Sequence, residues 1–382
     1  MKNFLKNTLL FFKRNFIFTI SVVVAAVSCF FVPPDSGYAD YFEWNTIACI
    51  FLILLVIAGF TNIDFFHKVA RIIVKKFKNT RSIIMCLIFI TYASAIFNAN
   101  DMALLTFLPL AYIVLKYTNN LRYCAFTFIM QNIASNLGGM ITPIGNPQNL
   151  YIYSYYHISI LEFLKIMLLP TLMALVLIIA VCMFVKKEPL EFKDDYSENF
   201  DKTKCIIFAV LFVVTLLVVF RVIPWWIALP IVVVTMLVVD RKAYLIVDYT
   251  IPLTFMAFFI FSGNMSRIPA IIKLLESLVE NHTYLTAFVS CQLISNVPTA
   301  VLLSKFTGNY AELLVSVNVA SLGVIFSSLS GVLALKQYIR VAEQENFGKK
   351  RGAWYYIGMD TLFNVVGAII LVPLCYLTLL IW

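Results

Sequence analysis

The sequence predicts an all-α polytopic membrane protein, folded as an inverted-topology repeat with two re-entrant hairpins, two broken helices and about nine full spans. Three observations carry this prediction. Of 382 residues, 62% are apolar and only 13% charged, with mean hydropathy +0.90, whereas soluble chains are roughly 25% charged. Basic residues fall largely on one side of the apolar runs, and polar breaks interrupt four of those runs in matching order.

Continuous apolar runs lie at 16–33, 44–62, 163–185, 204–222, 225–240, 247–265 and 354–381. Crossing a hydrocarbon core of ~30 Å takes about 20 such residues. Segments 82–115 and 283–306 instead carry a polar centre, Phe97-Asn98-Ala99-Asn100-Asp101 and Ser295-Asn296-Val297-Pro298-Thr299. Segments 121–151 and 310–335 are broken by Ser135 through Pro147 and by Ser321 through Gly331. With 82–115 and 283–306 as re-entrant hairpins, the N-terminus is cytoplasmic and 24 of the 29 Lys and Arg lie inside. Only Lys165, Arg221, Arg267, Lys273 and Lys305 lie outside. Two full crossings in place of the hairpins would move the lysine-rich loop 186–204 outside, against the positive-inside rule.

The halves also correspond. Asn132-Ile133-Ala134-Ser135 and Asn318-Val319-Ala320-Ser321 open the broken segments, each soon followed by glycine, Gly138 or Gly323. Each follows a hairpin with a central asparagine, Asn100 or Asn296, and each hairpin follows an amphipathic stretch, 64–79 or 266–281. The expected organisation is a first repeat at 1–185, a linker loop and connecting span at 186–224, and a second, inverted repeat at 225–382.

Composition excludes several functions. Eight cysteines never form C-x-x-C, three histidines form no metal motif, and no phosphate-binding glycine loop occurs. No nucleophile, base and oxyanion set is visible, so no enzyme, no catalytic residue and no cofactor is expected. The net charge of +9 reads as topology rather than as nucleic-acid binding. The expected partners are a small solute and the lipid bilayer of the cell membrane.

Irregular backbone survives at membrane depth only where protein or a water-filled cavity surrounds it. Four breaks in one chain therefore imply a shared interior site. Helix N-termini at such breaks suit an anion, while freed carbonyls and side-chain oxygens suit Na⁺. The first tip offers Asn98, Asn100 and Asp101 with Thr106 further along, facing Asn132, Ser135, Asn136, Thr142 and Asn146. The second offers Ser295, Asn296 and Thr299, facing Asn318, Ser321, Ser327 and Ser328. Asn100, Asn136, Asn296 and Asn318 are the candidate Na⁺ ligands. Asp101, an acid at membrane depth, is the candidate for cation coupling, to Na⁺ or H⁺. Asp360, in the last apolar run, follows Lys349, Lys350 and Arg351 closely enough to lie near the interface.

At Asn100-Asp101-Met102-Ala103-Leu104-Leu105-Thr106 and at Thr142-Pro143-Ile144-Gly145-Asn146-Pro147-Gln148-Asn149-Leu150, the chain resembles the anion permeases of the ion transporter superfamily. That group includes citrate carriers, arsenite permeases and divalent anion/sodium symporters. The resemblance implies a secondary carrier of elevator type, usually a homodimer, holding a small anion such as citrate or an oxyanion. It places Asn100 and Asp101 at the first tip and Asn136, Gly138 and Thr142 in the first unwound helix. Ser295, Asn296 and Thr299 then form the second tip, and Asn318, Ser321 and Gly323 the second unwound helix. Dicarboxylate carriers of the group have Ser-Asn-Thr at each tip, whereas the first tip here reads Asn-Asp. That departure keeps arsenite-like and Na⁺/H⁺ antiport readings beside citrate, with a passive channel as the alternative from another class.

Overall fold

The computed structural model describes residues 16–380 except 43, 66–67, 69–71, 73–74, 98–99, 144, 191–200, 220–221, 305 and 326. Regular structure among them is helical, and the isolated bridge is Asn79 with Pro189. In chain order the α-helices are α1 (Phe16–Phe31), α2 (Trp44–Asn62), α3 (Thr80–Phe97), α4 (Asn100–Tyr117), α5 (Cys124–Gly139), α6 (Pro147–Tyr155), α7 (Ile160–Cys182) and α8 (Lys202–Val219). Then follow α9 (Trp225–Val239), the short α10 (Ala243–Ile246), α11 (Thr250–Met265), α12 (Pro269–Ile294), α13 (Asn296–Leu303), α14 (Tyr310–Val319), α15 (Leu329–Gln344) and α16 (Ala353–Leu379).

The seven continuous apolar runs become α1, α2, α7, α8, α9, α11 and α16. Helices α7 and α16 are each long and apolar enough to cross a membrane unaided. At 1.5 Å per residue they reach about 34 and 40 Å. The hairpins resolve into α3 with α4 and into the second part of α12 with α13. His282, at φ −146° and ψ 53°, breaks α12 where the second hairpin begins. The stretch 64–79 lies in part outside the described residues, as do residues 191–200 of the linker loop.

The chain forms two compact units, residues 1–59 with 210–278 and residues 60–209 with 279–382. In the first, α1 packs along α11, and the Asn264 amide donates to Ser28 Oγ at 2.9 Å. Arg267 donates to both Asp35 oxygens, at 3.0 and 2.5 Å, and to the Tyr41 hydroxyl at 2.9 Å. Its guanidinium holds the Asp35 carboxyl below the usual carboxylate range.

The second unit is built around α5. Every residue of α5 from Cys124 to Gly139 is buried except Phe126, because α3, α4, α7, α15 and α16 surround it. A helix enclosed on all sides tolerates Gln131, Asn132, Ser135 and Asn136 only with internal partners. Gln131 supplies one case, donating to Thr91 Oγ1 at 2.9 Å. The long helices show the opposite polarity: Leu168, Leu172 and Val176 of α7 and Leu362, Val366 and Ile369 of α16 are exposed, while Thr171, Asp360 and Asn364 are buried. Apolar outside and polar inside is the pattern a bilayer solvent selects.

The second half of each broken segment packs against the other sequence half. Helix α6 lies against α13 and α14, and α15 lies against α4 and α5. An ion pair ties the second of these crossings at its edge. Lys116 of α4 meets Glu345, just past α15, at 2.6 Å, and the Tyr112 hydroxyl donates to the same oxygen at 2.5 Å.

The Lys116 ammonium and the Tyr112 hydroxyl hold the Glu345 carboxyl below its ordinary range. Because its folded value is depressed, the stabilisation is complete above the unfolded value and is lost as pH falls through the folded one. Partial exposure limits it to less than about 1 kcal/mol. Glu345→Gln is expected to lower the melting temperature of the purified protein slightly at neutral pH. The difference should vanish once acid protonates the wild-type carboxyl.

Candidate functional site

Four helix N-termini in the second unit converge. Helices α4 and α13 start at the hairpin tips, and α6 and α15 start after the breaks, with Asn146 and Ser328 as N-caps in nearly identical extended conformation. The cap dihedrals are φ −136°, ψ 142° and φ −138°, ψ 138°. Pro147 opens α6, where its missing N–H costs nothing. Gly323 turns the second break at φ +147°, a conformation that favours glycine, and a Cβ there would lie 2.0 Å from Gln292 Oε1.

One hydrogen bond repeats in both halves. The Asn100 N–H donates to the Gly145 carbonyl at 2.9 Å, and the Asn296 N–H donates to the Ser327 carbonyl at 3.0 Å. Gly145 and Ser327 each immediately precede the N-cap, so the two tips dock on equivalent points of the two breaks. Ser295, between α12 and α13, adopts φ 73° and ψ 163°, a strained setting for a residue with a Cβ. Its N–H donates to the Cys291 carbonyl at 3.0 Å, and its hydroxyl reaches the Ser327 carbonyl at 3.3 Å.

Two asparagines join the halves. Asn136 Oδ1 accepts from the Asn100 amide at 2.8 Å, Ser328 Oγ at 2.9 Å and Ser330 Oγ at 3.1 Å. Asn318 Oδ1 accepts from the Asn146 amide at 2.8 Å and the Gln148 amide at 3.3 Å, while its own amide donates to Asn149 Oδ1 at 2.5 Å. These partners lie far apart in sequence, so the network forms only with the tertiary fold.

Asn100, Asp101, Pro147, Gln148, Asn296, Val297 and Ser328 line a cavity of about 10 Å³, room for one water-sized sphere. Each lies at a helix N-cap or in the first two residues of a helix. Among the described residues, no lysine or arginine lines it. Asp101 is buried, in hydrogen-bond contact with Ser330. Its Oδ1 has no partner, and neither have Asn100 Oδ1, Asn146 Oδ1 and Gln148 Oε1. Asn100, Asp101 and Gln148 line the cavity, so their free oxygens could accept a proton donor or ligate a hard cation there, whereas Asn146 Oδ1 lies against Gly139.

Of the four asparagines expected to hold Na⁺, Asn100 keeps its side-chain oxygen free. Those of Asn136 and Asn318 are occupied as above, and Asn296 Oδ1 accepts from the Val297 N–H at 2.9 Å. Asn146, a site residue but not an expected Na⁺ ligand, has a free oxygen instead. Asn132, Ser135, Ser321 and Thr299 make contacts within or beside their own helices: Asn132 Oδ1 accepts from Asn136, Ser135 and Ser321 donate to the carbonyls of Asn132 and Asn318, and Thr299 donates to Ser295. Ser327 braces the second break by donating to the Ser321 carbonyl, and Thr142 ties the first break to α3 by donating to the Ile96 carbonyl at 2.6 Å. Gly138 lets α5 approach α3, since a Cβ would lie 2.6 Å from the Tyr92 carbonyl. Thr106 lies six residues along α4 from Asn100, about 9 Å from the tip, and does not line the cavity. Asn98 lies outside the described residues. Sequence reasoning missed Gln148 and Ser330 as site residues, although both stand in the first turn after a break.

Broken helices meeting at a buried polar cavity inside an apolar helical body are the architecture of a membrane transporter. The chain belongs to the citrate transporter family, whose sequence model matches residues 8–326. It is 30% identical over 296 residues to an uncharacterized transporter of Methanocaldococcus jannaschii, covering 77% of this chain and 81% of that one. It is also 29% identical over 333 residues to the inner membrane protein YbiR of Escherichia coli, covering 84% and 87%. The family resemblance read from the residues is thus borne out.

The break at Gly145 is packed backbone against backbone. A Cβ there would lie 2.2 Å from the Gly139 carbonyl oxygen and 2.8 Å from that of Ala95, with no flexible side chain to give way. Gly145→Ala should cost about 1–3 kcal/mol of overpacking, seen as a lower melting temperature. Gly358→Ala on α16, where nothing lies within 4 Å, should leave it unchanged or slightly raised.

Proposed function

We propose that the protein is a secondary active transporter of a small anion, a di- or tricarboxylate or an inorganic oxyanion, coupled to Na⁺ or H⁺. The observation that carries this reading is the cavity whose lining, among the described residues, stands at four helix N-termini and holds no basic side chain. N–H groups and the positive ends of helix dipoles suit an anion there. The unpartnered oxygens of Asn100, Asp101 and Gln148, all on residues that line the cavity, suit a coupling cation beside it. The cavity as it stands admits about one water-sized sphere, so the tips at Asn100 and Asn296 part to admit a polyatomic anion.

The membrane topology belongs to the same proposal: nine crossings, a cytoplasmic N-terminus and an inverted repeat in a cell membrane. The distribution of Lys and Arg supports it, as does the equivalent docking of the two tips. An elevator motion is supported by the composition of the two units. Residues 60–209 with 279–382 contain both hairpins and both broken helices, whereas residues 1–59 with 210–278 contain the first spans of each half. A homodimer is proposed on the family resemblance alone. The second reading, a Na⁺/H⁺ antiporter, draws on Asp101, whose free carboxylate oxygen faces the same cavity.

Purified protein in proteoliposomes, given imposed Na⁺ or proton gradients and a panel of labelled anions, tests both. The expected outcome is saturable accumulation driven by one gradient and reduced more than tenfold by Asp101→Asn and by Asn296→Ala. Sodium movement driven by a proton gradient without any anion would favour the antiporter. Flux that neither saturates nor accumulates solute would replace both with a channel.

A further inference from the structure

Outside the cavity, the largest concentration of unpartnered buried polar groups lies on α16. Its buried stripe reads Tyr356, Asp360, Asn364, Gly367, Leu371, Cys375 and Thr378, spaced by three or four residues. Asp360 is 1% exposed, neither of its carboxylate oxygens accepts a well-formed hydrogen bond, and the Asn364 side chain is the polar group beside it. The Asn364 amide is turned to the Asp360 backbone carbonyl at 2.8 Å, which leaves Asn364 Oδ1 free, and the Tyr356 hydroxyl has no partner. Wherever α16 sits in the bilayer, Asp360 is enclosed by protein rather than exposed at a surface.

The groups around this stripe offer no counter-charge. Helix α16 is packed by α5, α7, α14, α15 and the turn Lys349–Arg351. From α5 and α15 the titratable neighbours are Cys124 and Tyr338, the latter with its ring 4.7 Å from that of Tyr356. Glu162 of α7 is held by the Tyr310 hydroxyl at 2.5 Å, and Glu312 of α14 accepts the Tyr284 N–H at 3.0 Å. Lys165, Lys350 and Arg351 are exposed, and no basic side chain among the described residues pairs with Asp360.

An isolated carboxylate in so apolar a setting is far costlier than the neutral acid. Two neutralising ligands are conceivable, a metal cation or a proton. A cation needs several oxygens converging on one point, but Tyr356, Asp360 and Asn364 are strung along one helix over about 12 Å. A proton needs only the carboxylate. We propose that Asp360, flanked by Tyr356 and Asn364, is a second proton-binding site, separate from the cavity at the hairpin tips. Uptake forms the neutral carboxylic acid, with free acceptors one turn away on either side. This inference stands apart from the carrier reading, since it concerns protonation of one residue and not solute movement.

Infrared difference spectra between acidic and alkaline buffer, recorded on the full-length protein in lipid bilayers, read carboxyl protonation directly. Wild type is expected to show the C=O stretch of a buried carboxylic acid that is lost in Asp360→Asn and retained in Asp101→Asn. Asp360→Glu should shift that band and keep its amplitude. A spectrum of folded Asp360→Asn superimposable on wild type would overturn the proposal. Should the Asp360 variants not fold, Asp101→Asn decides: a remaining buried-acid band supports the second site, and its absence refutes it.

Discussion

An unpaired buried backbone N–H or C=O costs about as much as a lost hydrogen bond, and among the described residues one compact unit of this protein interrupts its helices at four polar clusters. What makes the breaks tolerable is that each tip closes on a break. The N–H groups of Asn100 and Asn296 are helix-start donors without an intrahelical acceptor, and the carbonyls of Gly145 and Ser327 are loop acceptors without a ladder. Pairing them across the fold satisfies four groups with two bonds. The rest of the site follows: once α4 and α13 are docked on the breaks, their N-termini face those of α6 and α15, and the cavity is the space left between.

Within that frame the polar side chains divide by function. Asn136 and Asn318 spend their side-chain oxygens on donors from the other half of the sequence, so they act as fasteners. Asn100 and Asn146 use their amides in the same network but leave their oxygens free, and Asp101 and Gln148 each add a free oxygen. Of these, Asn100, Asp101 and Gln148 line the cavity, so it meets free acceptor oxygens beside the positive ends of helix dipoles.

Much of this was legible in the sequence. The breaks at Phe97–Asn100, Gly139–Pro147, Ile294–Asn296 and Val319–Leu329 coincide with clusters of Asn, Ser, Gly and Pro, because those residues stop helices by local chemistry. The use made of each asparagine was not legible. Whether an Oδ1 is free or occupied depends on donors such as Ser328 and Ser330 for Asn136 and Asn146 for Asn318, well over a hundred residues away. Thr106 shows the complementary error: close to the tip in sequence, it is carried off by the rise of α4. The packing of α6 and α15 against the opposite sequence half likewise has no local signal.

The same physics separates the two buried acids. Asp101 sits at the second position of α4, where the helix start supplies positive potential, and has Ser330 beside it. A charged form has some support there, and Asp101 lines the cavity. Asp360 lies in the interior of α16, where every backbone N–H is already spent on the helix, and only the Asn364 side chain, itself turned to the Asp360 backbone carbonyl, stands beside it. A site that can host charge and one that cannot perform different tasks. The first borders the cavity, whereas the second is enclosed by packing with only a proton small enough to reach it, and the buried face of α16 is where that event would act on packing.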